Sequence, residues 1–143
     1  IRTQISIAEL FTDLKKLFPE EEFQFEVPTP ELKLNADRTQ IEQILINLLK
    51  NAREACSRKS DKKIQVKARK LSAGNTTLTI SDNGEGILPD VLDKIFVPFF
   101  TTKTSGSGIG LSLCKQIMTL HEGSINVKSE VGKGSSFILT FPK

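Results

Sequence analysis

Three short runs decide how this chain reads: Asp82-Asn83-Gly84-Glu85-Gly86, then Phe96-Val97-Pro98-Phe99-Phe100-Thr101-Thr102-Lys103, then Gly106-Ser107-Gly108-Ile109-Gly110-Leu111. Two glycine clusters flank an aromatic and proline turn. Glycine admits positive φ and lets a backbone approach a ligand closely, and successive N–H groups in such a loop form an anion cradle. The second cluster runs into a helical apolar pattern, Leu111, Leu113, Ile117 and Leu120. N–H groups and the positive end of a helix dipole therefore stand where a phosphate can sit. The expectation is a nucleotide site with a flexible, glycine-hinged lid over residues 96–107. Its 101–107 segment is expected to move without ligand, because threonines, serines and glycine bury little apolar area.

Working outward, Ser6-Ile7-Ala8-Glu9 has capping-box spacing. Leu10, Phe11, Leu14, Leu17 and Phe18 then recur at helical intervals until Pro19. Phe23, Phe25 and Val27 alternate as a strand ended by Pro28 and Pro30, and Leu32 and Leu34 as a second short strand. Asn35-Ala36-Asp37 reads as a turn and helix cap. In the helix that Asp37 opens, Ile41, Ile44, Leu45, Leu48, Leu49, Ala52, Ala55 and Cys56 share one face. Ile64, Val66 and Ala68 form a strand, Gly74-Asn75 a hairpin turn, and Leu78 and Ile80 the partner strand leading into Asp82. A short helix at 89–94 and a helix over 108–120, closed by Glu122-Gly123, follow. A strand at Ile125 and Val127, a turn at 131–134 and a last strand through Phe137, Leu139 and Phe141 complete the chain. The expected architecture is α+β: one domain over 1–143, a two-layer sandwich with helices on one face of a mixed, mostly antiparallel sheet.

The 143 residues suffice for a single core, and 38% apolar with 26% charged residues is ordinary for a globular domain. A net charge of +3, with no basic stripe interleaved with aromatics, argues against a nucleic-acid partner. Arg58-Lys59-Ser60-Asp61-Lys62-Lys63 reads as a solvated loop. Cys56 and Cys114 read as buried thiols, which suits a reducing compartment. No apolar run approaches the roughly eighteen residues a membrane span needs. A cytoplasmic location without membrane contact by this domain is the expectation, and the start at Ile1 leaves room for a longer parent chain.

Asn47 and Asn51 stand one helical turn apart, at the edge of the apolar stripe. Their amide oxygens are neutral, hard ligands that suit magnesium already bridged by phosphates; the same spacing fits surface or capping amides. Asp82, after a buried strand and before glycines, either accepts from an exocyclic amine such as that of adenine or is a turn aspartate before Asn-Gly. Neither glycine cluster is a P-loop, for want of the Gly-Lys-Ser/Thr ending. Nor does a Rossmann acid follow about twenty residues on, after a second strand.

The order of these signals carries more than any one of them. Asn47-Leu48-Leu49-Lys50-Asn51-Ala52, Asp82-Asn83-Gly84-Glu85-Gly86-Ile87, Phe96-Val97-Pro98-Phe99-Phe100, Gly106-x-Gly108-x-Gly110-Leu111 and Gly132-Lys133-Gly134-Ser135-x-Phe137 resemble, over nearly the whole chain, the ATP-binding catalytic domain of two-component sensor histidine kinases. The Phe-Phe-Thr-Thr-Lys run is more like their nitrogen-regulation class. The resemblance implies the gyrase-like (Bergerat) fold and ATP and Mg2+ as cofactors. It implies γ-phosphoryl transfer to a histidine on an upstream dimerisation domain, with a response regulator receiver domain as partner of the full-length protein. By position, Asn51 would ligand the metal and Asn47 support the triphosphate side. Asp82 would take the adenine amine, with Gly86 giving close approach, Gly84, Ile87 and Phe99 around the nucleotide, and Ser135 near the Asp82 end. Gly106, Gly108, Gly110 and Leu111 would offer N–H groups to the phosphates, and Lys103 would reach the β/γ-phosphates.

Many of these kinases carry a basic residue three positions after the second asparagine, where this chain has Glu54. Arg53 points away from the asparagines by helical angle, so either Lys103, with Arg58 as a second candidate, supplies the positive charge or nucleotide binding is weaker; Lys103 is the better placed. ATPases of the superfamily place a glutamate where this chain has Asn47, whose amide has no basic site for a water proton. That favours a kinase working by positioning and charge stabilisation. His121-Glu122 resembles the start of the family's phosphoacceptor motif, but Gly123-Ser124 departs from it. His121 is therefore expected to close a helix, with the acceptor upstream. The alternatives are a protein-serine kinase of the anti-sigma type, which shares the fold, and a degenerate sensor that binds nucleotide without transfer.

Overall fold

The computed structural model describes residues 1–98 and 110–143. In chain order the elements are β1 (Thr3–Ser6), α1 (Ile7–Leu17), β2 (Phe23–Glu26), β3 (Lys33–Ala36), α2 (Arg38–Ala55), β4 (Ile64–Lys70), β5 (Thr76–Asp82), α3 (Pro89–Leu92), α4 (Gly110–Leu120), β6 (Ser124–Glu130) and β7 (Gly134–Phe141). A five-stranded sheet runs β2-β4-β5-β7-β6, with β2 parallel to β4 and the other three pairings antiparallel. β1 and β3 form a separate antiparallel ribbon. The α+β sandwich with a mixed, mostly antiparallel sheet is as expected.

Strand alternation sends one set of side chains to the helical layer. Ile64, Val66 and Ala68, then Leu78 and Ile80, then Phe137, Leu139 and Phe141 are all buried. Against them α2 lays Ile41, Ile44, Leu45, Leu48, Leu49 and Ala52. α1 covers α2 and β2, and α4 covers α2 and β6. Side-chain caps start both long N-terminal helices. Ser6 Oγ accepts from the Glu9 N–H at 3.2 Å, and Asp37 Oδ1 from the Gln40 N–H at 3.1 Å.

Several local expectations are corrected. β1 was not expected, and Asn35 and Ala36 lie in β3 rather than a turn, because pairing with Gln4 and Thr3 overrides the turn preference of asparagine. Leu17 is 57% exposed. The chain leaves helical geometry at Phe18 (φ −126°, ψ 70°), which turns that ring into the core against Phe23, 5.1 Å between centroids, and leaves Leu17 outside. Leu120, at the end of α4, is 60% exposed, and the buried His121 follows it inward. α3 stops at Leu92 rather than residue 94. The expected mobility of 101–107, most of the 96–107 lid and the helix start at Gly108 fall outside the described residues.

Candidate nucleotide site

β5 and β7 end level with each other, so Asp82 stands opposite Ser135. Asp82 Oδ1 accepts from the Gly84 N–H at 2.9 Å, and the Ser135 backbone N–H also reaches the carboxylate. Burial pushes the Asp82 carboxyl up from its ordinary 3.8, and these two N–H groups pull back against that rise. Two tight approaches build this end. Gly86 (φ +79°) and Gly134 (φ +131°) occupy backbone conformations that side chains rarely adopt; a Cβ would strike the Glu130 carbonyl from the first and the Asp82 carbonyl from the second. Reciprocal bonds close the gap. Gly132 N–H donates to the Glu85 carbonyl at 2.9 Å, and Ile87 N–H to Ser129 Oγ at 2.8 Å. An open cleft of about 390 Å³ lies here, lined by Asp82 of β5 and by Lys128, Ser129, Glu130, Lys133, Gly134, Ser135 and Ser136 of the β6–β7 hairpin.

α2 forms the wall leading away from this end. Its Ala55 carbonyl accepts from the Glu85 N–H at 3.2 Å, which fixes the first glycine loop to the helix. Asn51 lies one turn earlier and Asn47 another turn back, both half-buried. From Asn47 to Ala55 the helix rises ~12 Å. Asn47 faces the start of α4: a Cβ on Gly110 would lie 3.2 Å from its Oδ1, and its carboxamide hydrogen-bonds the Cys114 thiol. Burial pushes that thiol up to about 12, against the pull of Asn47. At the other end burial, reinforced by the Asp82 charge, raises the Cys56 thiol, whose Sγ lies 3.5 Å from Asn83 Oδ1. Arg53 is committed elsewhere, stacked 4.9 Å from the Phe18 and 5.3 Å from the Phe23 ring centroid and 3.0 Å from Glu20. It turns away from the asparagines, as its helical angle implied.

His121 is 4% exposed and both ring nitrogens are engaged. Nε2 accepts from the Asp37 backbone N–H at 3.0 Å, so Nδ1 carries the proton and donates to the Ile117 carbonyl at 2.9 Å. The ring thus ties the end of α4 to the start of α2, a structural role that leaves no nitrogen for a phosphoryl group. Replacing His121 by Ala is expected to destabilise the chain by about 3 kcal/mol, from the cavity and the orphaned Asp37 N–H. Urea unfolding of both forms measures it; a loss below ~1 kcal/mol contradicts this role.

The fold thus gathers Asp82, Gly84, Gly86, Ile87 and Ser135 at the C-terminal end of α2, with Asn47, Gly110 and Leu111 near its middle and Asn51 between. Phe99, Lys103, Gly106 and Gly108 lie outside the described residues. Sequence reasoning missed Ser129. Its signal was a polar residue at the third inward position after Ile125 and Val127.

This layering, with a carboxylate, a glycine loop and an asparagine-bearing helix gathered in it, is that of a histidine kinase catalytic domain. The catalytic domain of histidine kinase ThkA superposes with a TM-score of 0.86 at 35% identity, over 100% of this chain and 96% of that one. The family described as histidine kinase-, DNA gyrase B- and HSP90-like ATPase matches residues 36–143, and the chain belongs to it. The sensor histidine kinase ZraS of Salmonella typhimurium is 40% identical over 110 residues, and AtoS of Escherichia coli, a signal transduction histidine-protein kinase, is 43% identical over 109. These matches cover 77% and 76% of this chain but only 23% and 18% of those proteins. ThkA has also been solved in complex with the response regulator protein TrrA, and that ThkA chain matches at a TM-score of 0.79, 32% identity, over 99% of this chain and 42% of its own. No helix among the described residues is long and apolar enough to cross a membrane.

Proposed function

We propose that this chain binds ATP with Mg2+ and, within a longer sensor kinase, presents the γ-phosphoryl to a histidine on a separate upstream dimerisation domain. The observation that carries the reading is the single wall of α2, which joins the Asp82–Ser135 end to the Asn47–Gly110 end. Asp82 accepts the adenine amine beside Ser135, with Gly84, Gly86, Ile87 and Phe99 around the base. Gly106, Gly108, Gly110 and Leu111 offer N–H groups to the phosphates under a lid at 96–107, and Lys103 supplies the cation that Arg53, held by Phe18, Phe23 and Glu20, does not. Asn51 fits the metal as a neutral oxygen donor on the wall between the two ends; a Mg2+ held there would supply positive charge to the phosphates. Asn47, bonded to Cys114, braces α4 and provides no base for water, which favours transfer over hydrolysis. The breaking bond is the β–γ bridge to phosphorus, the forming one is phosphorus to imidazole nitrogen, and ADP leaves. Similarity to ThkA, solved with the response regulator protein TrrA, supports a response regulator as the next partner, and the two buried free thiols suit a cytoplasmic place of work.

Calorimetric titration with ADP, with and without Mg2+, tests the reading. Wild type is expected to bind more tightly with the metal, and Asn51→Ala to lose about tenfold of that gain. Binding indifferent to Mg2+ in both forms removes Asn51 as its ligand. Labelled ATP given to the full-length protein is expected to mark the upstream histidine; nucleotide binding without that transfer turns the reading to a sensor domain.

A further inference from the structure

Ser129 lies outside the glycine and asparagine motifs, yet three segments around Asp82 meet at its hydroxyl. It accepts from the Ile87 N–H at 2.8 Å and lies 3.1 Å from the Gly134 carbonyl oxygen and 2.8 Å from the Ser135 hydroxyl. A hydroxyl has one proton and two lone pairs. All three contacts are hydrogen bonds in one arrangement only: the Ser129 proton goes to the Gly134 carbonyl, which can only accept. One Ser129 lone pair takes the Ile87 N–H, and the other is left for the Ser135 proton. Ser135 therefore turns its proton away from the cleft it shares with Asp82 and offers that cleft lone pairs only.

We infer that Ser129 is a positioning residue for base selection: by taking the Ser135 proton it makes Ser135 an acceptor beside the Asp82 carboxylate, a pair that fits a purine with an exocyclic amine and rejects one with an oxygen there. This rests on the nucleotide reading above. Adenine presents an amine at that position and guanine a carbonyl oxygen. Two acceptors facing an oxygen leave polar groups unpaired in a partly buried site, which is what discriminates most strongly against a near-isosteric ligand. Without the Ser129 oxygen, the Ser135 hydroxyl is free to rotate and donate, and the penalty on guanine eases.

Titration with ADP and with GDP, both with Mg2+, tests this. Wild type is expected to prefer ADP. Ser129→Ala is expected to lower the ADP-to-GDP affinity ratio by about fivefold, the worth of one hydrogen bond. Ser129→Thr, which keeps the hydroxyl in a strand where β-branching is favourable, is expected to restore it. If Ser129 only pins Ile87, Ser129→Ala weakens both nucleotides alike and the ratio stays at its wild-type value; that result overturns the inference. Should Ser129→Ala fail to fold, Ser135→Ala carries the test: removing the acceptor must lower the same ratio, and an unchanged ratio is again fatal. Wild type that binds neither nucleotide is a different failure, since it overturns the nucleotide reading and the inference with it.

Discussion

Asp82→Asn is expected to weaken ADP binding by about ten- to hundredfold at neutral pH while leaving the unliganded chain as stable as wild type or slightly more so. The first half follows from the loss of a charge-assisted hydrogen bond, worth about 1.5–3 kcal/mol. The carboxylate accepts on every lone pair. An asparagine keeps one oxygen as acceptor for the Gly84 and Ser135 N–H groups and sets its NH2 against the incoming amine. The second half follows from burial. The Asp82 carboxyl lies above its ordinary 3.8 in the folded chain, so its contribution to stability is full below the unfolded value and is lost as pH rises through the folded one. At neutral pH the ionised group therefore costs the fold stability, and an asparagine carries no such cost. The same shift sets the pH dependence of the ligand: ADP affinity in wild type is expected to fall, as pH is lowered, at a pH above 3.8, and to stay flatter in Asp82→Asn. Calorimetry across pH, with thermal unfolding alongside, reads both. Equal ADP affinity in the two proteins would show that another group meets the base.

Gly134→Ala should unfold the chain far more readily than Gly132→Ala, although both glycines have positive φ. Gly132 (φ +85°) has nothing within 4 Å of where a Cβ would stand, so alanine there costs about 1–2 kcal/mol for the backbone alone. Gly134 (φ +131°) sets that Cβ on the Asp82 carbonyl and close to Asn83 Cα, both backbone, which cannot yield as a flexible side chain does. The clash and the strained backbone together are expected to bring the loss to about 3 kcal/mol or more. Urea midpoints of the two variants compare them directly. Equal losses would mean that the close approach of β7 to Asp82 contributes nothing beyond the dihedral.

Most of the helical layer was legible in the sequence. The α2 face, read from Ile41 to Ala52, is the buried face, because an eighteen-residue helix repeats its period often enough to be unambiguous. The hairpins β4–β5 and β6–β7 were legible for a similar reason, their turns at Gly74 and Gly132 lying between alternating runs. β1 was not. Four residues with one buried side chain, Ile5, carry almost no pattern, and their partner β3 is some thirty residues away, where pairing leaves no local trace. The parallel partnership of β2 with β4 was hidden likewise, since nothing in either strand announces the direction of the other. At the candidate site the motifs put Asp82, Ser135 and the asparagines in order along the chain. They could not show that Gly86 and Gly134 serve to let two backbones touch, or that Arg53 is held by Phe18 and Phe23.

The two buried thiols have a use as internal clocks. Cys114 and Cys56 are both fully covered, one beneath Asn47 between α2 and α4, the other beside Asn83 where the first glycine loop meets the end of α2. Burial holds the Cys114 thiol well above its ordinary range and closes it to solvent, so an alkylating reagent meets it only when the two helices part. Alkylation at Cys114 therefore times the parting of α4 from α2, and alkylation at Cys56 the parting of the first glycine loop from the end of α2. A mass shift on each peptide reads them separately in a single reaction, on the unaltered chain.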